Sequence, residues 1–228
     1  MKTESRRDIQ GPKFPKRLPA GAVAALEDDG EYSAMELASC RLAGVDAVRP
    51  VFDKVVFRKV ALGPSRHVKP RFIDCRFTTS DLSGADWEKA RFRRVEFLGC
   101  RAIGAQLVEA EFEDTLFEEC NFERAVFLAA AFRTARFKNC VLREASFENA
   151  ALEGAVFEDC DLSRADLRLA KLAGADLRGS KLDGVQAGPQ EFHGAVVDSA
   201  QAVQVAGLLG IVVKEKGEDL EEEAAGIR

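Results

Sequence analysis

Residues 111–137 read EFEDTLFEECNFERAVFLAAAFRTARF, with phenylalanine at 112, 117, 122, 127, 132 and 137. Working outward, 15 of the 16 phenylalanines occupy positions whose numbers end in 2 or 7, and only Phe14 does not. From Phe72 to Leu182 there are 23 such positions, and 21 hold Phe or Leu; Trp87 and Ala102 depart from the pattern. Two residues before each lies a small side chain, Ala or Cys in 18 of the 23 cases, with Pro70, Ser80, Val95, Thr115 and Ser180 completing the set. A helix of period 3.6 would spread these phenylalanines around its axis, and a strand of period 2 would put alternate ones on opposite faces. Five residues with one large and one small inward position describe a chain that turns a corner at every unit.

The stretches SDLSGADWEKA (80–90), CNFER (120–124), CDLSRADLRLA (160–170) and AKLAGADLRGSKL (170–182) resemble the pentapeptide-repeat family, whose unit reads roughly Ala-(Asp/Asn)-Leu-x-x. The likeness covers about residues 32–187, and the register does not slip within it. It implies an all-β fold, a right-handed quadrilateral parallel β-helix of four units, or 20 residues, per coil.

Charge gives a separate test of that coil. Residues on neighbouring coils stack about 4.8 Å apart, where opposite charges help and like charges hurt. Between residues 71 and 183, spacing 20 yields seventeen opposite-sign pairs and one like-sign pair, Arg71 with Arg91. Spacing 15, a three-faced coil, yields thirteen against five. Four faces explain the charges better. Alternating ladders follow: Arg93–Glu113–Arg133–Glu153, Glu118–Lys138–Glu158–Arg178, Asp74–Arg94–Asp114 and Arg124–Glu144–Arg164. The same spacing sorts the core into columns, one running Phe57, Phe77, Phe97, Phe117, Phe137, Phe157 and another Phe52, Phe72, Phe92, Phe112, Phe132. Trp87 is expected near an end of the array, and Ala102 leaves a thin spot that Ile103 is expected to fill through a local bulge.

The boundaries read as follows. Residues 1–18 form a flexible basic tail, 19–187 the solenoid with an irregular loop bulging at 63–70, 188–213 a C-terminal cap, and 214–228 a disordered charged tail. The cap contains a short helix in DSAQAVQVAGLLG (198–210), with Asp198 or Ser199 as N-cap and Gly210 as stop, followed by a last strand at IVV (211–213). Such a cap covers the open end of a solenoid, or else joins two copies, as it does in some family members. A net charge of −5 gives no reason to expect direct binding to nucleic acid or membrane. With no apolar leader or spanning segment, the expected location is the cytoplasm.

Little here carries chemistry. His67 and His193 are 126 residues apart, and no metal, cofactor or catalytic motif can be assembled around them. All six cysteines sit at the small inward position; Cys100, Cys120, Cys140 and Cys160 are 20 apart and form one column ended by Ser80 and Ser180. Buried packing is the reading preferred over disulfides or a metal site.

No enzyme is expected. One function is a rigid protein-interaction module, with an unidentified partner bound through outward apolar residues Val108, Val126, Leu128, Ala129 and Leu169, with Leu116 nearby. The alternative comes from the resemblance: some members protect bacterial type II topoisomerases such as gyrase from inhibitors by mimicking duplex DNA. Glu111, Glu113, Asp114, Glu118 and Glu119 would form the acidic surface. Mimicry needs unneutralised charge, whereas residues 71–187 hold 21 acids against 17 bases, most of them stacked in the ladders.

Overall fold

Nearly every five-residue unit between Asp29 and Gly184, with Pro64 and Thr134 the exceptions, turns its corner on a residue in the left-handed backbone region. Lys54, Asp74, Arg94 and Asp114 sit there at φ of 56°, 51°, 52° and 52°, and so do Gly84 at 67° and Gly104 at 63°. An L-residue in this conformation costs on the order of 1–2 kcal/mol, a cost that only glycine avoids. The computed structural model describes residues 8–23, 25–208 and 210–214. In it the chain winds as a parallel β-solenoid in which residue i pairs with residue i+20. Tyr32 pairs with Phe52, Phe52 with Phe72, Phe72 with Phe92, Phe92 with Phe112, and Phe112 with Phe132. Single bridges carry the same register to Asp176 and Val196.

The four faces differ. Strands such as Val51–Arg58, Arg91–Leu98 and Glu111–Glu118 run through the two faces that bury Phe72 and Phe77. The faces that bury Leu82 and Trp87 carry only short pairings and single bridges, such as Asp81 with Arg101 and Asp86 with Gln106, separated by turns. In those turns Ala85 N–H donates to the Leu82 carbonyl (3.0 Å) and Ala90 N–H to that of Trp87 (3.2 Å).

Inside, the rings stack at the coil repeat. Phe57, Phe77, Phe97, Phe117, Phe137 and Phe157 lie with successive centroids 4.4, 4.7, 5.0, 4.4 and 4.8 Å apart, all within 9° of parallel. The neighbouring column meets them edge-on, as Phe112 meets Phe117 at 5.5 Å and 66°. Burying each ring contributes about 1.5–3 kcal/mol before ordering costs.

Several expectations change. Residues 63–70 do not bulge: Ser65 and His67 take the small and large inward positions at 7% and 0% exposure. The His67 ring stacks 6.0 Å from Trp87, its Nε2 lies 2.9 Å from the Val45 carbonyl, and His67–Val68 pairs with Ala47–Val48. An imidazole fills the place of a Leu because one nitrogen finds a carbonyl partner inside the wall. Gly63 is fixed there by close approach, since a Cβ would stand 2.0 Å from the Ser83 oxygen. Trp87 lies within the array, against Phe72, Phe77 and Phe92. Ile103 stays in an outward turn, half-buried, so Ala102 leaves an apolar cavity of about 10 Å³ between Trp87 and Phe122.

Both ends are covered. Pro19–Gly21 closes the N-terminal edge, with Gly21 N–H donating to Glu36 O and Glu36 N–H to Pro19 O, each 2.8 Å. Residues 8–18, expected to be loose, include a segment seated on the wall: Lys13 N–H donates to Asp74 Oδ1 (2.9 Å), and the Arg76 guanidinium lies 5.3 Å from the Phe14 ring centroid. At the other end the helix Ser199–Leu208 is N-capped by Asp198 through a reciprocal pair of bonds with Gln201, of 2.9 and 3.0 Å. The Gln201 amide, 3% exposed, donates to the carbonyls of Leu177 and Ser180 and so satisfies the last coil. Gly210 (φ 74°) ends the helix, with Ile211 N–H donating to Ala206 O at 2.9 Å. Residues 211–213 form no strand, since no further coil offers an edge to pair with. The tail beyond 214, and residues 1–7, lie outside the described residues.

Candidate functional site

The outward side chains form columns along the solenoid, and the charge ladders decide where the surface is closed. Arg76–Glu96 (2.6 Å), Glu118–Lys138 (2.7 Å), Arg124–Glu144 (2.8 Å) and Glu123–Arg143 (3.4 Å) are ion pairs between residues 20 apart. Asp74 and Arg94 form the least exposed pair, with side chains 5% and 16% accessible and two bonds of 2.6 and 2.7 Å. Burial works to raise the Asp74 pKa, but the Arg94 guanidinium and the Lys13 N–H outweigh it and hold the carboxyl below its ordinary value. Not every stacked pair closes: Arg178 turns to Asp176 (2.8 Å) on its own unit, as Arg168 does to Asp166.

Against this wall, residues 125–132 (AVFLAAAF) carry no polar side chain. Val126, Leu128 and Ala129 face outward, half-buried. Val108 lies one coil before Leu128, with Leu107 N–H donating to Val126 O (2.7 Å) and Glu109 N–H to Leu128 O (2.8 Å). Ala131, on the next face, extends the group, a contribution that period counting missed because alanine reads as filler. Glu88 and Glu148 bracket Val108 and Leu128 in their column, and Glu109 and Asn149 bracket Ala129 in the next. Leu169 does not join them. It lies two coils beyond Ala129, 65% exposed, with its N–H held by Glu191 Oε1 at 2.9 Å. Leu116 is half-buried on the Phe77 face, also apart from the group.

The acidic candidates divide. Glu111, Glu113, Asp114 and Glu118 share the strand Glu111–Glu118, and Glu119 follows at the corner. Arg91 pairs with Glu111 (3.3 Å) and Lys138 with Glu118 (2.7 Å). Glu113, Asp114 and Glu119 have no ion pair among the described residues, though Arg94 acts on the first two and Lys138 on the third at longer range, so the acidic surface is not a continuous stripe.

All six thiols are free. Cys120 and Cys140 donate from Sγ to the carbonyls of Phe97 (3.3 Å) and Phe117 (3.4 Å), and Ser180 Oγ does the same to Phe157 (3.1 Å). That shared bond explains why one column accepts both Ser and Cys. Burial pushes the Cys75 thiol up to about 12 and raises that of Cys120 as well, which suppresses thiolate reactivity. Among the described residues, no group of His, Cys, Asp and Glu is arranged to hold a metal, and no helix is long and apolar enough to cross a membrane.

No curated protein matches the chain. Among solved structures, HetL, a pentapeptide repeat protein involved in heterocyst differentiation regulation from the cyanobacterium Nostoc sp. strain PCC 7120, is 20% identical over 70% of this chain and 87% of that one, with a TM-score of 0.31. Trypsin-treated QnrB1, a plasmid-mediated fluoroquinolone resistance protein, is 22% identical over 81% of this chain and 100% of that one, with a TM-score of 0.32. The family model for the pentapeptide repeat region matches residues 70–147 and 110–187, together about half of the chain. With the period, the left-handed corners and the i, i+20 register, that match establishes that the chain belongs to the pentapeptide-repeat family.

Proposed function

We propose that this protein is a non-catalytic interaction module that binds a protein partner at Val108, Val126, Leu128, Ala129 and Ala131. The observation that carries the reading is the break in the ladders: the run 125–132 has no polar side chain, while other columns of the wall hold alternating charge. An apolar centre bounded by Glu148 and by Glu88 and Glu109, which share Lys89 at 2.9 and 3.7 Å, has the anatomy of an interface and suits a partner with an apolar knob. The hydrogen-bonded backbone beneath these side chains lowers the ordering cost on binding. Exposed Val203, Ile211, Val212 and Val213 beyond the last coil offer a second copy of the chain a separate surface.

Mimicry of duplex DNA toward a type II topoisomerase is less well supported, because Glu111 and Glu118 are already paired with Arg91 and Lys138. The test captures binders on immobilised wild-type protein, Leu128→Glu, and a Glu118→Lys/Glu119→Lys double variant, with thermal midpoints recorded for each. Leu128→Glu is expected to lose the partner at least tenfold, as for a buried interface anchor, with the midpoint lowered only slightly by its new like-charge contact with Glu148, while the double variant keeps the partner. Retention by Leu128→Glu overturns the reading. Protection or inhibition of gyrase supercoiling that disappears in the double variant would replace it with mimicry.

A further inference from the structure

One corner of the solenoid departs from charge alternation. The column Arg49–Lys69–Lys89 places three cations on successive coils before Glu109 follows, and beside it Arg71 stands in register with Arg91 before Glu111 follows. Backbone bonds fix the stack, with Arg49 N–H on Val68 O, Lys69 N–H on Glu88 O and Lys89 N–H on Val108 O, each 2.8 Å. Between the two columns lies a groove of about 630 Å³ lined by Asp29, Arg49, Lys69, Arg71, Lys89, Arg91, Glu109 and Glu111.

The carboxylates in this groove are all occupied. Asp29 takes Arg49 in a two-bond fork of 2.7 and 2.6 Å, Glu111 takes Arg91 at 3.3 Å, and Glu109 lies 3.7 Å from Lys89, which also pairs with Glu88 outside the groove at 2.9 Å. Lys69 and Arg71, separated only by Pro70, form no ion pair among the described residues. The coil above them presents Lys89 and Arg91, and the coil below presents Arg49 and Val51. A groove lined by five cations and three carboxylates therefore leaves Lys69 and Arg71 outside any ion pair, with Glu88 and Asp29 acting on them only at longer range, in a protein of net charge −5.

We propose that this groove binds a phosphate group, free or carried as a phosphomonoester on a small molecule. A phosphomonoester carries about −1.5 to −2 at neutral pH, a charge that Lys69 and Arg71 can meet together. Arg71 supplies the planar fork that phosphate oxygens accept, and Lys69 the point charge. Duplex DNA fits poorly, because its next phosphates would lie over Glu109, Glu111 and Glu113.

The experiment uses the full chain in low-salt buffer. It compares wild type, Lys69→Gln and Arg71→Gln in potassium chloride, inorganic phosphate and glycerol phosphate at matched ionic strength. Thermal midpoints and phosphorus NMR line widths are the readouts. In chloride the two variants should melt at or above wild type, since each removes a like-charge contact. Inorganic phosphate should raise the wild-type midpoint more than that of either variant, and the affinity read by NMR should fall about tenfold or more in Arg71→Gln, as for a lost charged hydrogen bond. The same Arg71-dependent effect with glycerol phosphate assigns an esterified ligand, and its restriction to inorganic phosphate assigns the free ion. Equal rises in all three proteins, which general salt exclusion would give, overturn the proposal. So does Arg71-dependent binding of duplex DNA without any phosphate effect.

Discussion

The corner that follows the Phe72 face and the corner that follows the Trp87 face use the same left-handed residue, yet their charges are arranged oppositely. At the first, Asp74 (φ 51°) and Arg94 (φ 52°) are a shielded pair, further bonded by the Lys13 N–H. At the second, Lys69 (φ 55°) and Lys89 (φ 57°) are stacked cations beside an open groove, and the column ends in Ala129 and Leu169. The turn geometry leaves the corner side chain unspecified, so sequence writes either a closed wall or an open surface on one backbone. Where the columns alternate, each charge faces an opposite one on a neighbouring coil. Where they stop alternating, the surface has something left to bind.

The sharpest way to break that contrast is at the shielded pair. Asp74→Asn leaves the Arg94 cation without its partner and should cost about 3 kcal/mol at neutral pH. Asp29→Asn, at the exposed pair in the other corner, should leave the thermal midpoint nearly unchanged. The Asp74 carboxyl is held below its ordinary 3.8, so its contribution is complete above that value and is lost as pH falls through the lower folded-state value. The gap between wild type and Asp74→Asn should therefore close in acid below pH 3.8. A gap that persists there would mean that packing, not charge, makes this corner.

A smaller effect is expected on the exposed ladder. Arg133 stacks between Glu113 and Glu153, with its N–H on Phe112 O at 2.9 Å. Arg133→Glu should cost about 0.5–1 kcal/mol at low salt, less as salt rises. Adding Glu113→Arg and Glu153→Arg should restore most of the loss in a denaturant titration. Rescue instead by reversing Glu118 and Glu148, 15 residues away, would mean three faces per coil.

The sequence made the period, the columns and the coil length legible, because a five-residue code admits only two inward positions and the charges report the spacing. It did not show that His67 continues the wall: a carbonyl on the preceding coil partners its Nε2, and no local pattern announces that partner. Phe14, the one phenylalanine out of register, marked the segment that docks on the wall, but nothing in the sequence said that Arg76 would lie over it. Val108, Val126, Leu128 and Ala129 were legible as a group because they share one face on adjacent coils. Leu169 was misplaced with them because a column records direction but not separation along the axis. The cationic corner was missed because the charge count began at residue 71, although spacing 20 extended back to Arg49 and Lys69 would have exposed it.

Coil-to-coil charge alone distinguishes the two kinds of corner, and one reversal tests this directly. Lys69→Glu places an acid between Arg49 and Lys89, so two like-charge contacts become attractions. In low-salt, phosphate-free buffer its thermal midpoint should rise above wild type by about 1–3 °C, whereas the matching reversal Glu144→Lys, between Arg124 and Arg164, should lower it. A midpoint for Lys69→Glu that stays level or falls would contradict the account, because it would mean that residues 20 apart at this corner do not feel each other's charge.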